Sequence, residues 1–524
     1  MKSKIYIASL AGSLLMLTGC NDFLEPKSIS EFVPKDISSL NELLLGDAYP
    51  RYDIEGFNYF LNLMDDDVAA TPWQPEEENF EPNKYVASYS WQPDMFEMMK
   101  QVGTTSTNMY YTYYRKIKGV DAVIDYIGTV SGSEDDINNV MAQSYALRGF
   151  FYLNLVNIFG QPYNYKPDAL GVPLKLKSGA EDNPITRNTV SECYDQIVSD
   201  LLEAIRLYSQ LPKDMQWKSN YRTSLPMAQL VLSRTYLYME NWAEASRYAK
   251  MVMDNSQFSL LNLNNVEAWT ENEDGSGRLV PTYRNYHSYE SPECIWPYGN
   301  VIDWAGWVDD YSEEGSDGSA RTPYFRASDE LLASFDSTDL RRERYIVRKA
   351  FGSTKTDTIP MAYGKVNVNN FYRPRSGTSI FGRSIRLSEA YLNYMEAEAM
   401  LYKTTGDASH QTAALNALNT LRRNRFTPED YKDVNIADAD SLIEFIHNER
   451  RRELCFESHR WYDLRRWGMP EIQHVWYDSQ TTSTTYTLQK NDPMYTVPIP
   501  DVAIEDNSNL VQNELSGKRI GVTK

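Results

Sequence analysis

Apolar positions recur at helical spacing through most of this chain, and one polar, aromatic-rich stretch interrupts them. The strongest run is Met141–Phe159, apolar nearly all round, with Gly160 and Pro162 as its stop signals. A helix of that kind is buried between others. Its expected partner is Cys193–Leu211, where Ile197, Leu201, Ala204, Ile205 and Tyr208 form a stripe at helical spacing. Farther on, Leu232, Ser233, Tyr236, Trp242, Ala245, Ala249 and Val252 fall close to the spacings of a tetratricopeptide repeat, with Asn241 making the turn. Leu387–Leu401, then Gly406-Asp407, then Ala413–Arg423 predict another pair, with Ala414, Leu418 and Leu421 on one face. Asp440–Trp467 reads as helix again, with Ser441 and Glu444 spaced as a capping box and Leu442, Phe445 and Ile446 on the buried face. Between these pairs, about Asn262–Ser384 is poor in helix formers and rich in Gly, Pro, Tyr and Trp. The pattern predicts a mostly α fold, a single domain built on tetratricopeptide-like helix pairs with long irregular aromatic-rich loops. Loops of that length on a rigid scaffold are where binding resides.

The start of the chain adds an anchor to this body. Lys2 and Lys4 precede an apolar stretch, Ile5–Leu17, that is too short to span a bilayer and ends in Thr18-Gly19-Cys20. Leu17–Cys20 resembles the bacterial lipobox, whose cysteine is lipidated and becomes the new N-terminus. The expectation is a lipoprotein signal peptide over 1–19, lipidation at Cys20, an extended lipidated tether over 20–34 and a folded domain over 35–524. A simple cleaved secretory signal, with Cys20 incidental, is the alternative. Without the signal peptide, which holds Lys2 and Lys4 and no acid, the net charge of −20 becomes −22. That balance argues against a polyanion partner, and nucleic acid above all, because no basic footprint is available to neutralise phosphates. Besides Cys20 only Cys193, Cys294 and Cys455 remain, too few and too scattered for a disulfide framework or a zinc site of paired cysteines. With 38 Tyr and 11 Trp in 524 residues, many rings must lie at or near the surface, which suits sugar binding.

Two segments carry candidate binding chemistry. Asp65-Asp66-Asp67 lies just ahead of Trp73 and Trp91, and it reads as a solvated loop, as a site for sugar hydroxyls or a cation, or as the catalytic carboxylates of a glycosidase. The insertion gathers Trp269, Tyr283, Tyr286, Tyr289, Trp296, Trp304, Trp307 and Tyr311 in one polar stretch, and sugar rings pack their C–H faces on such side chains. The glycan-binding expectation rests on Asp65, Asp66, Asp67, Trp73, Trp91, Tyr289, Trp296, Trp304, Trp307 and Tyr311. Glu449–Glu457 is dense in charge, and helical spacing predicts the pairs Arg450–Glu453 and Arg452–Glu449 as a structural network. The Glu-x-x-His spacings at Glu444–His447 and Glu471–His474, and the turn from His459 to Asp463, are weak metal patterns, so no metal, cofactor or catalytic residue is expected.

Several segments together resemble the SusD/RagB family of outer-membrane nutrient-binding lipoproteins. They are Cys20–Pro26, Ala146-Leu-Arg-Gly-Phe-Phe-Tyr152, Arg386–Tyr391, Glu449–Glu457 with His459–Arg466, and Val497–Pro500 with Asn509 and Gln512-Asn513, in the family's order. The resemblance implies a mostly helical fold on tetratricopeptide-like pairs, cell-surface binding of oligosaccharide or polysaccharide, and a place beside a SusC-like TonB-dependent transporter in the outer membrane. It also implies ligand aromatics in loops equivalent to the insertion. A lipid-anchored glycosidase using Asp65–Asp67 and a structural tetratricopeptide adaptor are the alternatives.

Overall fold

A computed structural model describes residues 34–50, 60–72, 83–103, 108–180, 185–271, 279–281, 283, 285–300, 325–351, 357–361, 365, 381–479 and 481–524. The expected signal peptide, Cys20 and nearly all of the expected tether lie outside these residues. The scaffold is a series of helices, each packed on the next. Helices α1 (Ile37–Leu43) and α2 (Met109–Tyr126) lie against α3 (Glu134–Phe159), and α3 lies against α4 (Val190–Gln210). The series continues through α5 (Leu225–Tyr238), α6 (Trp242–Met253) and α7 (Leu387–Thr405), and α7 carries both α8 (Ala408–Arg423) and α9 (Ala439–Leu454). The helix pairs anticipated from periodicity are all present, and Asn241 caps α6 by accepting the Glu244 N–H.

The Arg148-Gly149 dipeptide shows why α3 sits where it does. Arg148 donates to Asp121 on α2 at 2.8 Å and to both carboxylate oxygens of Asp200 on α4, so one buried guanidinium joins three helices. A Cβ on Gly149 would come within 2.9 Å of the Leu201 side chain, so only glycine lets α3 and α4 approach this closely despite its cost in a helix interior.

The segment expected as one helix over Asp440–Trp467 is two. Helix α9 ends at Leu454 and α10 spans His459–Arg466, with Phe456 and Ser458 between them at positive φ. The break has an electrostatic cause. Lys365 Nζ takes the carbonyls of Glu453 and Cys455 at 2.8 and 3.0 Å, and Arg386 takes the Glu453 carbonyl as well, so buried cations replace the N–H groups of a further turn. The N-cap also differs from the Ser441 expectation, because Asp438 one turn earlier accepts from Ser441 N.

Charges on α9 pair outward into the fold more than along the helix. Arg452 meets Glu449 at 2.7 Å as its spacing predicts, but Arg450 binds Asp463 and Asn393 instead of Glu453. Glu453 is taken by Arg341, Arg386 and Arg425 at 3.0, 2.7 and 2.9 Å, and by the Tyr345 hydroxyl. Glu457 binds Lys365 and Arg386, while Glu293 binds Arg386 and Arg425. This cluster ties the insertion to the scaffold, since Arg341, Lys365 and Glu293 belong to the former and Glu453 and Arg425 to the latter.

The insertion is not loop throughout. It contributes β2 (Cys294–Asn300), paired with β4 (Phe381–Arg386), and β3 (Phe325–Ala327), paired antiparallel with β1 (Val68–Ala70). Strands β5 (Ile472–Tyr477) and β6 (Ser483–Leu488) form a hairpin edged by β7 (Val522–Thr523).

The buried cluster makes the fold acid-sensitive. Burial opposes the charge on Glu396, Glu449, Glu453 and Glu457, yet the surrounding arginines outweigh it and hold all four below the ordinary glutamate value of 4.5. Carboxyls depressed by folding add stability above that value and lose it as pH falls. The melting temperature should therefore drop steeply below about pH 4.5. Glu453→Gln should cost about 3–5 kcal/mol at neutral pH and make the acid decline shallower, read by thermal and urea melts. A variant as stable as the parent would show that the cluster does not hold the fold.

Candidate functional site

The segment Trp217–Thr223, a polar break between α4 and α5, makes one wall of a cleft of about 450 Å³. Its opposite walls are α1, through Ser38 and Asn41, and the first turns of α3, through Asp136, Asn139 and Gln143. Neighbours hold the segment in place. Trp217 Nε1 donates to the Ile295 carbonyl at 3.3 Å, and the indole packs edge-on against Phe258. Ser219 donates to the Tyr289 carbonyl, and Trp296 Nε1 donates to the Tyr221 carbonyl at 2.8 Å. Trp217 is half-buried and Tyr221 is 43% exposed, so the cleft has aromatic side chains at its wall and margin among amides, an arginine and a carboxylate. Rings, amides and a few charged groups on a concave surface are what sugar recognition requires.

Tyr289 meets this segment through its backbone carbonyl, which accepts from Ser219, and is half-buried. Trp296 does not face it. The ring is fully buried, stacked on Tyr298 at 4.8 Å and edge-on to Phe150, so it supports the cleft wall from beneath instead of stacking on a ligand. Trp91 is likewise a core residue. Its indole is fully buried, donates to the Met64 carbonyl and stacks on His474 at 4.2 Å, which leaves no face for a sugar. Trp73, Trp304, Trp307 and Tyr311 lie outside the described residues, as does the side chain of Trp269.

The ends of those segments are described. In the β1–β3 pair Ala70 stands opposite Phe325, so the chain leaves toward Trp73 and returns from Trp304, Trp307 and Tyr311 at the same sheet end. Asn300, from which the latter segment departs, stands opposite Phe381, and the Phe381 ring is 6.5 Å from that of Tyr221. The aromatic-rich segments of the sequence are thereby rooted beside the Trp217 cleft and beside β1.

Asp65, Asp66 and Asp67 are not a solvated loop. Asp66 makes two bonds to Arg460 at 2.6 and 2.8 Å, and Asp67 binds Arg451 at 2.7 Å, joining the β1 segment to α9 and α10. Burial opposes the Asp66 charge, but Arg460 and Arg451 outweigh it and hold the carboxyl well below its usual range. Asp65 is fully buried, and burial together with its two acidic neighbours drives its carboxyl well above that range. Of the three, Asp66 borders open space, a second cleft of about 530 Å³ beside β1 and β5. There Arg460 is taken by Asp66, and Arg326 by Asp329.

The histidines of the metal-like spacings are engaged elsewhere. Both His474 nitrogens face backbone carbonyls, of Tyr89 at 2.7 Å and Asp65 at 2.9 Å, and burial lowers its pKa to about 4. His447 stacks on Trp467. Burial, reinforced by Arg234 and Arg450, pushes His459 well below its usual value. Among the described residues, no three His, Cys, Asp or Glu side chains are placed to hold a metal ion. The residues that sequence reasoning passed over are Trp217, Asn220, Tyr221 and Arg222. Their signal was present as two rings, an amide and an arginine within six positions of a helix break.

Comparison with known proteins agrees with this architecture. A profile described as the SusD family matches residues 349–515, and one described as starch-binding associating with outer membrane matches 54–237. A SusD-like protein of Formosa agariphila is 24% identical over 433 residues, 76% of this chain and 78% of that protein. The fold superposes on the crystal structure of a SusD-like carbohydrate binding protein from Bacteroides vulgatus, with a TM-score of 0.66 and 21% identity over 92% of this chain and 99% of that one. A SusD superfamily protein from Bacteroides thetaiotaomicron gives the same TM-score at 22% identity over 91% of this chain and 100% of that one. No helix among the described residues is long and apolar enough to cross a membrane. With both profiles matching in order and the helix-pair scaffold shared, this chain belongs to the SusD/RagB family.

Proposed function

We propose that this protein is a non-catalytic, lipid-anchored glycan-binding protein of the outer membrane that hands oligosaccharide to a TonB-dependent, SusC-like transporter. The observation that carries the reading is the cleft at Trp217, where an indole, amides and charges line a space sized for a few sugar units and the exposed Tyr221 adjoins it in sequence. Tyr289 accepts a hydrogen bond from Ser219 of this wall, and the chain leaves toward Trp304, Trp307 and Tyr311 from Asn300, whose strand partner Phe381 lies against Tyr221. The family match supplies carbohydrate binding and outer-membrane association at the family level. Support for binding without hydrolysis comes from Asp65–Asp67, whose charges are spent on Arg451 and Arg460, with Asp65 buried. Lipidation at Cys20 rests on the lipobox.

Affinity gels and calorimetry with a polysaccharide panel test the binding reading. Retarded migration without release of product is expected, and Trp217→Ala or Tyr221→Ala should weaken binding by about 1–3 kcal/mol with melting curves checking the fold. Release of product would replace the reading with an enzyme, and no effect of any glycan would favour an adaptor.

Cys20→Ala should leave glycan affinity unchanged and move the protein from the membrane to the soluble fraction, because acyl chains hold it there. Retention in the membrane after a high-salt wash would assign anchoring to a protein contact.

Detergent extraction followed by pull-down on tagged, full-length protein should recover one large β-barrel protein in near-equal amount. The negative charge suits a basic rim on that partner, so recovery should fall as salt rises. Isolation of the glycan-binding protein alone at low salt would argue against a stable complex.

A further inference from the structure

Hydrogen-bond chemistry decides which way the amides around the Trp217 cleft point. A guanidinium and a backbone N–H only donate. Arg222 Nη1 lies 2.7 Å from Asn41 and 3.2 Å from Gln143, so the atoms it faces are the oxygens Oδ1 and Oε1. The Tyr49 hydroxyl accepts from the Thr223 N–H and donates to the same Gln143 oxygen at 2.6 Å. The Gln143 nitrogen then donates to Asn139 Oδ1 at 3.1 Å. Asn220 Oδ1 accepts the backbone N–H of Arg222 at 2.8 Å. Each amide oxygen on this wall is therefore used inside the protein. What remains for a ligand is the Nδ2 groups of Asn41, Asn139 and Asn220, the other N–H groups of Arg222, and the exposed Lys218 ammonium.

A wall of donors fits a ligand group that only accepts. A sugar hydroxyl presents a hydrogen as well as lone pairs, whereas a carboxylate or sulfate presents oxygens alone, and charge-assisted bonds to it are about twice as strong as neutral ones. Asp136 is the carboxylate of the lining, with Oδ2 accepting from Ser133, and its other oxygen suits a sugar hydroxyl. We infer that this cleft takes glycans bearing an anionic group, a uronate carboxylate or a sulfate ester, held by Arg222 and the three asparagine N–H groups. The inference rests on the reading of the cleft as the glycan site. It assigns polyanion recognition to a local donor wall within a chain of net charge −20. The opposing field of distant acids is screened beyond about 8 Å at physiological salt, so the cleft acts at short range.

Calorimetry on the full chain with matched oligosaccharides tests this, using oligogalacturonate against its methyl ester and a sulfated galactan fragment against its desulfated form. The charged member of at least one pair should bind about tenfold tighter or better, and which pair responds separates carboxylate from sulfate. Asn220→Asp keeps the oxygen that accepts from Arg222 but replaces a donor with negative charge, and Lys218→Gln alters an exposed side chain. Both should narrow the charged-to-neutral ratio, with an unchanged melting temperature showing that the fold is intact. Equal affinity within each pair, or binding of neutral glycans alone, overturns the anionic assignment and leaves glycan binding standing. Failure to bind any glycan, in these pairs or the wider panel, overturns both.

Discussion

The buried carboxylate of Glu453 is the constraint on which the rest of this structure depends. Three guanidiniums and a tyrosine hydroxyl converge on it, from the scaffold through Arg425, from the insertion through Arg341 and Tyr345, and from the strand entering α7 through Arg386. Such a group is tolerated only when every charge finds a partner, because an unpaired ion away from water costs several kcal/mol. The cluster thus fixes the position of the insertion relative to the helices. Its cations also end α9 by taking the carbonyls that a further helical turn would use.

The helix series provides stiffness, and the breaks between helices provide chemistry. Arg148 and Gly149 set α2, α3 and α4 in close packing, which brings the start of α3 opposite the Trp217–Thr223 break. Trp296 and the Tyr289 carbonyl then hold that break in place, one beneath it and one beside it. Asp66 and Asp67 do comparable work at the other end of the surface, since their bonds to Arg460 and Arg451 hold β1, and β1 in turn sets where the Trp73 segment departs.

Helix existence was legible because burial imposes a period on the chain: α3, α4, α5, α6, α7 and α8 all follow from apolar spacing. Individual functional side chains were less so. Trp91 and Trp296 look like sugar-stacking rings because each lies in a polar neighbourhood of the sequence, yet both fill cavities in the core. The place of Arg222 beside a helix break is a local sign, but its role depends on Asn41 and Gln143, which are 181 and 79 residues away.

The sequence by itself determined the helical scaffold, the family and the presence of a lipobox-like stretch at Leu17–Cys20, because periodicity and contiguous motifs are properties of neighbouring residues. Tertiary structure alone decided which aromatics are core and which border a cleft. It also decided which of several partners each arginine takes and which end of each amide is left for a ligand. Those outcomes arise from contacts between distant segments, where burial and donor–acceptor complementarity select one pairing among many that the sequence permits.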